Sequence, residues 1–90
     1  MSATVLLVDD QDTSLITFAA LLEDAGFAVT TAESCEDARA KLDESGRFDL
    51  VVSDLHLEDG SGEELLREIR ARDSGTRLAL LSGEGPGDRD

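Results

Sequence analysis

Two kinds of pattern alternate along the chain: short unbroken apolar runs, and longer stretches with an apolar residue every three or four positions. Thr4-Val5-Leu6-Leu7-Val8 is the first run, rich in branched side chains and ended by Asp9-Asp10, the pattern of a strand buried on both faces. Leu15, Phe18, Ala19, Leu22 and Ala25 then recur at helical spacing up to Gly26, predicting an amphipathic helix over about residues 13–25 with those five residues as its inner stripe. Phe27 to Thr31 is the second strand-like run. Ser34-Cys35-Glu36-Asp37 has the spacing of a capping box, opening a helix with Cys35, Ala38 and Leu42 inside and Ser45-Gly46 at its end. Leu50-Val51-Val52-Ser53 is a third strand, delivered onto Asp54, and Ser61-Gly62-Glu63-Glu64 caps a third helix with Leu65, Leu66 and Ile69 as its stripe. Arg77 to Leu81 is the fourth strand, ending at Ser82. Residues 83–90 are Gly-rich and charged without apolar periodicity, as in a flexible tail.

This β-α-β-α-β-α-β order without internal repeats predicts an α/β fold with a mostly parallel sheet and right-handed crossovers. In such sheets, ligands sit beyond the carboxyl ends of the strands. Three of the four predicted strands end there on polar groups: Asp9 and Asp10, Asp54, and Ser82. If the first and third strands are neighbours, three carboxylates converge on one pocket, and like charges so close favour a cation among them. Oxygen-only ligands with room for water suit Mg²⁺. Asp54 would keep one oxygen free as a nucleophile toward a phosphoryl group, with the Ser82 hydroxyl as a donor to that group. The plainer readings stand beside these. Aspartates end strands and cap helices, and Ser82 fits a turn before Gly83. His56 fits an exposed loop, and Cys35 a small core residue.

Composition narrows the partners. Ninety residues allow one domain, and 40% apolar with 32% charged residues is a globular balance. Three Phe without Trp or Tyr make the core aliphatic. Twenty-one acidic against eight basic residues give a formal charge of −13, which disfavours nucleic acid and anionic membrane as partners. One cysteine forms no internal disulfide, and no charged and apolar leader opens the chain, so a cytoplasmic location is expected. The longest apolar run, Phe18 to Leu22, is far short of the roughly 20 residues of a membrane-spanning helix.

The set Val5-Leu6-Leu7-Val8-Asp9-Asp10, Asp49-Leu50-Val51-Val52-Ser53-Asp54-Leu55, Asp59-Gly60-Ser61-Gly62 and Leu80-Leu81-Ser82-Gly83 resembles, in order and strand context, the receiver domain of two-component response regulators. The resemblance runs from about residue 3 to residue 83. It implies a flavodoxin-like parallel sheet of order 2-1-3-4 with three helices, and a signalling domain that accepts phosphoryl from a sensor histidine kinase or phosphotransfer protein, without enzymatic work beyond its own phosphorylation. It assigns Mg²⁺ to Asp9, Asp10, Asp54 and the backbone carbonyl of His56, phosphoryl acceptance to Asp54, and a switch hydroxyl to Ser82. Glu58 stands where the family commonly has Pro. A full receiver continues into a further helix, a fifth strand bearing a Lys and an aromatic residue, and a last helix. Here the only Lys is Lys41, in the second helix. The expectation is thus a truncated receiver over residues 1–82 and a tail over 83–90. The bare fourth strand, or the uncovered sheet face, would support a homodimer. The alternative function is a degenerate receiver acting as a phosphorylation-independent dimerisation or docking module. An independent phosphatase is disfavoured, because no general base or second cation accompanies the carboxylates.

Overall fold

A computed structural model describes residues 3–81. In chain order these are β1 (Thr4–Val8), α1 (Asp12–Asp24), β2 (Ala28–Ala32), α2 (Cys35–Ser45), β3 (Leu50–Asp54), β4 (His56–Leu57), β5 (Gly60–Ser61), α3 (Gly62–Arg72) and β6 (Arg77–Leu81). The main sheet is parallel with order β2-β1-β3-β6, the flavodoxin-like order expected, β6 being the fourth long strand. The predicted boundary at residues 82/83 and the tail after it lie outside the described residues.

Local chemistry explains most boundaries. At the end of α1, Gly26 takes φ +104°, its N–H donating to the Glu23 carbonyl while Phe27 N–H donates to Leu22, a left-handed glycine stop that satisfies two free carbonyls. That bond occupies Phe27, so β2 begins at Ala28 and runs to Ala32, one residue later than the apolar run suggests. Ser34 Oγ accepts from Asp37 N–H (3.0 Å) and Ser61 Oγ from Glu64 N–H (3.1 Å), the two caps expected from the sequence. Gly46 closes α2 at φ +83°.

Strand alternation sorts the core onto two faces. Leu6, Val8, Ala32 and Val51 point to the face covered by α2 and α3, where Cys35, Ala38, Leu42, Phe48, Leu57, Leu65, Leu66 and Ile69 close a continuous apolar cluster. Val5 and Leu7 point the other way, toward α1, from which Leu15 is buried. There the sequence expectation needs correction: Phe18 is 38% exposed and Ala25 is exposed, while Ala19 and Leu22 are half-buried. A single helix covers this face, so only the line of α1 nearest the sheet is enclosed and the flanks of its stripe stay in solvent. Phe48, outside every predicted element, is a core residue at 3% exposure.

Candidate functional site

β1 and β3 are hydrogen-bonded neighbours with Val8 opposite Ser53, so one further step of the register sets Asp9 beside Asp54. Alternation turns both to the α1 side of the sheet, in line with Val5, Leu7 and Val52, while Ser53 turns into the core. The convergence expected from the sequence is present: carboxylate oxygens of Asp9, Asp10 and Asp54 lie within 4.8 Å of one another. Asp9 is 6% exposed, and its backbone N–H donates to the Ala32 carbonyl, while its Oδ1 accepts from Gln11 N–H (3.0 Å). That second bond fastens the turn leading into α1, whose N-cap residue Gln11 supplies no side-chain cap. Asp10 is partly exposed beside it.

Asp54 closes β3, its Oδ1 accepting from Leu55 N–H at 3.0 Å. Partial burial pushes its carboxyl above the ordinary carboxylate range, and the nearby charge of Asp9 adds to this, with a smaller contribution from Asp10. The Leu55 N–H and the His56 side chain work against the rise. The ion pairs among the described residues lie elsewhere: Arg39–Glu68, Lys41–Asp37, Arg47–Asp73 and Arg72–Asp43. Lys41 also donates to the Thr31 carbonyl (2.8 Å). The pocket is therefore anionic, with oxygen donors only, and this donor set fits a hard divalent cation such as Mg²⁺.

The frame beneath Asp54 is closely packed. Ser53, fully buried, donates from Oγ to the Asp54 carbonyl (2.9 Å). Gly62, the first residue of α3, lies so close that a Cβ there would collide with that same carbonyl oxygen, and its N–H donates to the Leu55 carbonyl (2.8 Å). Between them, residues 55–61 form a short antiparallel hairpin, His56 opposite Ser61 and Leu57 opposite Gly60. His56 starts the hairpin with an exposed side chain, and Leu57 is buried in the core. Ser82 lies outside the described residues; Leu81 before it is paired with Asp54. Sequence reasoning did not reach the Ser53 bond, the hairpin or the contacts of its turn. The available signals were a polar residue at a buried-parity position of β3 and a glycine inside a capping box.

Comparison with known proteins agrees with this geometry. The family model of the response regulator receiver domain matches residues 5–88. The acid tolerance regulatory protein ActR of Rhizobium meliloti (strain 1021) is 39% identical over 91% of this chain and 42% of its own length. The sensor kinase CckA of Brucella abortus (strain 2308) is 36% identical over 91% of this chain but 9% of its own. Among solved structures, the chemotaxis response regulator CheY4 of Vibrio cholerae superposes with a TM-score of 0.85 at 29% identity, covering all of this chain and 76% of that one. This chain thus spans less than half the length of the curated relatives it matches. Receiver domains are signalling domains rather than conventional enzymes, and they work with sensor kinases or phosphotransfer proteins. With four strands in the 2-1-3-4 order and three carboxylates gathered at their carboxyl ends, the chain belongs to the response regulator receiver domain family.

Proposed function

We propose that this chain is a phosphoacceptor in two-component phosphorelay signalling, taking a phosphoryl group onto Asp54 with Mg²⁺ held by Asp9, Asp10, Asp54 and the His56 backbone carbonyl. The observation that carries this reading is the meeting of the three carboxylates at the ends of two paired strands, with no Lys or Arg ion pair among the described residues to neutralise them. Bound Mg²⁺ would supply positive charge to the incoming phosphoryl oxygens and to the carboxylates around it. Asp54 offers one carboxylate oxygen to phosphorus while the other is held by Leu55 N–H, which fixes the direction of attack. The new O–P bond forms as the bond from phosphorus to the donor breaks. With a sensor histidine kinase or phosphotransfer protein that is the P–N bond of a phosphohistidine, and the electron pair leaves with the imidazole. Ser82 is proposed as the switch hydroxyl that donates to the phosphoryl group. The reading places the protein in the cytoplasm; no helix among the described residues is long and apolar enough to cross a membrane.

The test is incubation with Mg²⁺ and a small acyl phosphate donor, followed by intact mass. Wild type should gain one phosphoryl group, and Asp54→Asn or chelator should abolish the gain; no Asp54-dependent gain overturns the proposal.

A second reading, a phosphorylation-independent dimerisation module, is favoured by one observation: β6 is the outer strand of the sheet with Ala79 and Leu80 exposed, and on the α1 face Phe18 and Leu21 are exposed as well. A homodimer through β6 or through this face would sediment as a dimer regardless of Mg²⁺ or phosphodonor, and Ala79→Lys on the edge would return an edge-paired dimer to monomer.

A further inference from the structure

The loop that follows Asp54 is held at its far end by a side chain to which the family resemblance gives no role. Asp59 sits at the turn of the β4–β5 hairpin, and its carboxylate spans the first turn of α2. Oδ1 accepts from Cys35 N–H at 2.8 Å and Oδ2 from Glu36 N–H at 3.0 Å. The partners lie more than twenty residues upstream, so this is a cap supplied by another element, in addition to the local cap from Ser34. The two N–H bonds hold the Asp59 carboxyl below the ordinary carboxylate range. Gly60 packs against Cys35, with room for little more than a hydrogen: a Cβ would stand 3.1 Å from Sγ.

The hairpin needs that anchor. Its two-residue turn is Glu58-Asp59, and among the described residues only Gly26 and Gly46 have positive φ, so the turn lacks the left-handed backbone that lets a two-residue turn match strand twist. Each strand has two residues, too few to be stable alone. The hairpin is held from outside by Leu57 buried in the core, Gly62 seated on the Asp54 and Leu55 carbonyls, a weak bond from Cys35 Sγ to the Ser61 carbonyl (4.0 Å) beside the Gly60 contact, and Asp59 clamped to α2. Of these, only the Asp59 clamp fixes the turn.

We propose that Asp59 is a positioning residue for the Asp9-Asp10-Asp54 centre: by fastening the hairpin turn to α2 it sets the backbone at Leu55 and His56, which frames Asp54 and carries the proposed carbonyl ligand. This rests on the Mg²⁺ reading above. Groups hydrogen-bonded directly to metal ligands commonly change the affinity by about 10–100-fold when removed. Asp59 acts further out, through the hairpin backbone between it and His56, so its effect belongs at the low end of that range.

The test is Mg²⁺ titration of the folded 90-residue chain by calorimetry, well below its melting temperature, for wild type, Asp59→Ala and Asp59→Asn. Amide spectra serve as the fold check. Asp59→Ala should bind Mg²⁺ about tenfold more weakly, and Asp59→Asn, which keeps one acceptor oxygen, should fall between it and wild type. The amide resonances of Leu55 and His56 should shift in the same order. A lowered melting temperature with Mg²⁺ affinity and those resonances at wild-type values would make the clamp purely structural and overturn the proposal. If Asp59→Ala does not fold, Asp59→Asn alone decides between the same two outcomes. Absence of Mg²⁺ binding by wild type would overturn the Mg²⁺ reading and this inference with it, a result distinct from equal binding by all three proteins.

Discussion

The two faces of the sheet are built from the same strands and end up unlike. On the α2/α3 face, Leu6, Val8, Val51, Leu65 and Ile69 are all at 2% exposure or less, and only toward the outer strand does the packing loosen, where Leu78 is partly buried and Leu80 is exposed. On the α1 face, Val5, Leu7 and Leu15 are buried, but Val52 is half-buried, Ala79 exposed, and Ile16 and Leu21 stand 70% and 61% in solvent. The proposed chemistry belongs to the looser side: Asp9 and Asp54 share their parity with Val5 and Val52, whereas the neighbours that brace them, Ser53 and Gly62, belong to the closed side. A carboxylate proposed to meet a cation and a phosphodonor is thus presented by a closely packed layer without being enclosed in it.

The sharpest contrast to test is packing. Leu65→Ala on the closed face should cost about 2–5 kcal/mol in urea denaturation, and Leu21→Ala on the open face should stay within about 0.5 kcal/mol. Equal losses would erase the distinction between the faces. Gly62→Ala should come next, losing about 1–3 kcal/mol as α3 is pushed from the Asp54 carbonyl. It should also slow Asp54 phosphorylation, which separates it from Leu21→Ala.

The smallest effect is electrostatic. Because the Asp54 carboxyl is raised in the folded state, the native chain holds that proton more tightly than the unfolded chain. Its charged form therefore lowers stability progressively as pH rises from the ordinary carboxylate value of about 4 through the raised one. In Mg²⁺-free buffer Asp54→Asn should melt a few degrees above wild type at neutral pH, with the gain vanishing below about pH 4. Saturating Mg²⁺ should shrink the gain at neutral pH. A gain independent of pH would show that the carboxylate charge is not its source.

Much of this was legible in the sequence because it is encoded locally. Branched apolar runs marked the four long strands, Ser34 and Ser61 announced their caps three residues ahead, and the aspartates lay where parallel strands end. What escaped depends on distant parts of the chain. Phe18 fits a helical stripe by spacing, yet whether a stripe is covered depends on how many helices the face receives. The clamp from Asp59 to the start of α2 joins a turn to a helix through charge and backbone, and no periodicity records such a bond. Ser53 looked like an ordinary strand end, and only the register of β3 against β1 turns it inward.

The central place of β1 has a consequence for how the chain acquires its shape. Its partners are β2, beginning at Ala28, and β3, beginning at Leu50, and Thr4 is latched to Asp49 by two bonds from the Thr4 N–H and Oγ1, spanning 45 residues. β1 therefore gains its second neighbour only after two crossovers, and the sequence-distant pairings place folding among the slower rates for a domain of this size. Until Leu50–Asp54 has been synthesised, Val5-Leu6-Leu7-Val8 has one open edge, so the nascent chain passes through a stage in which its most apolar strand is exposed to misassociation.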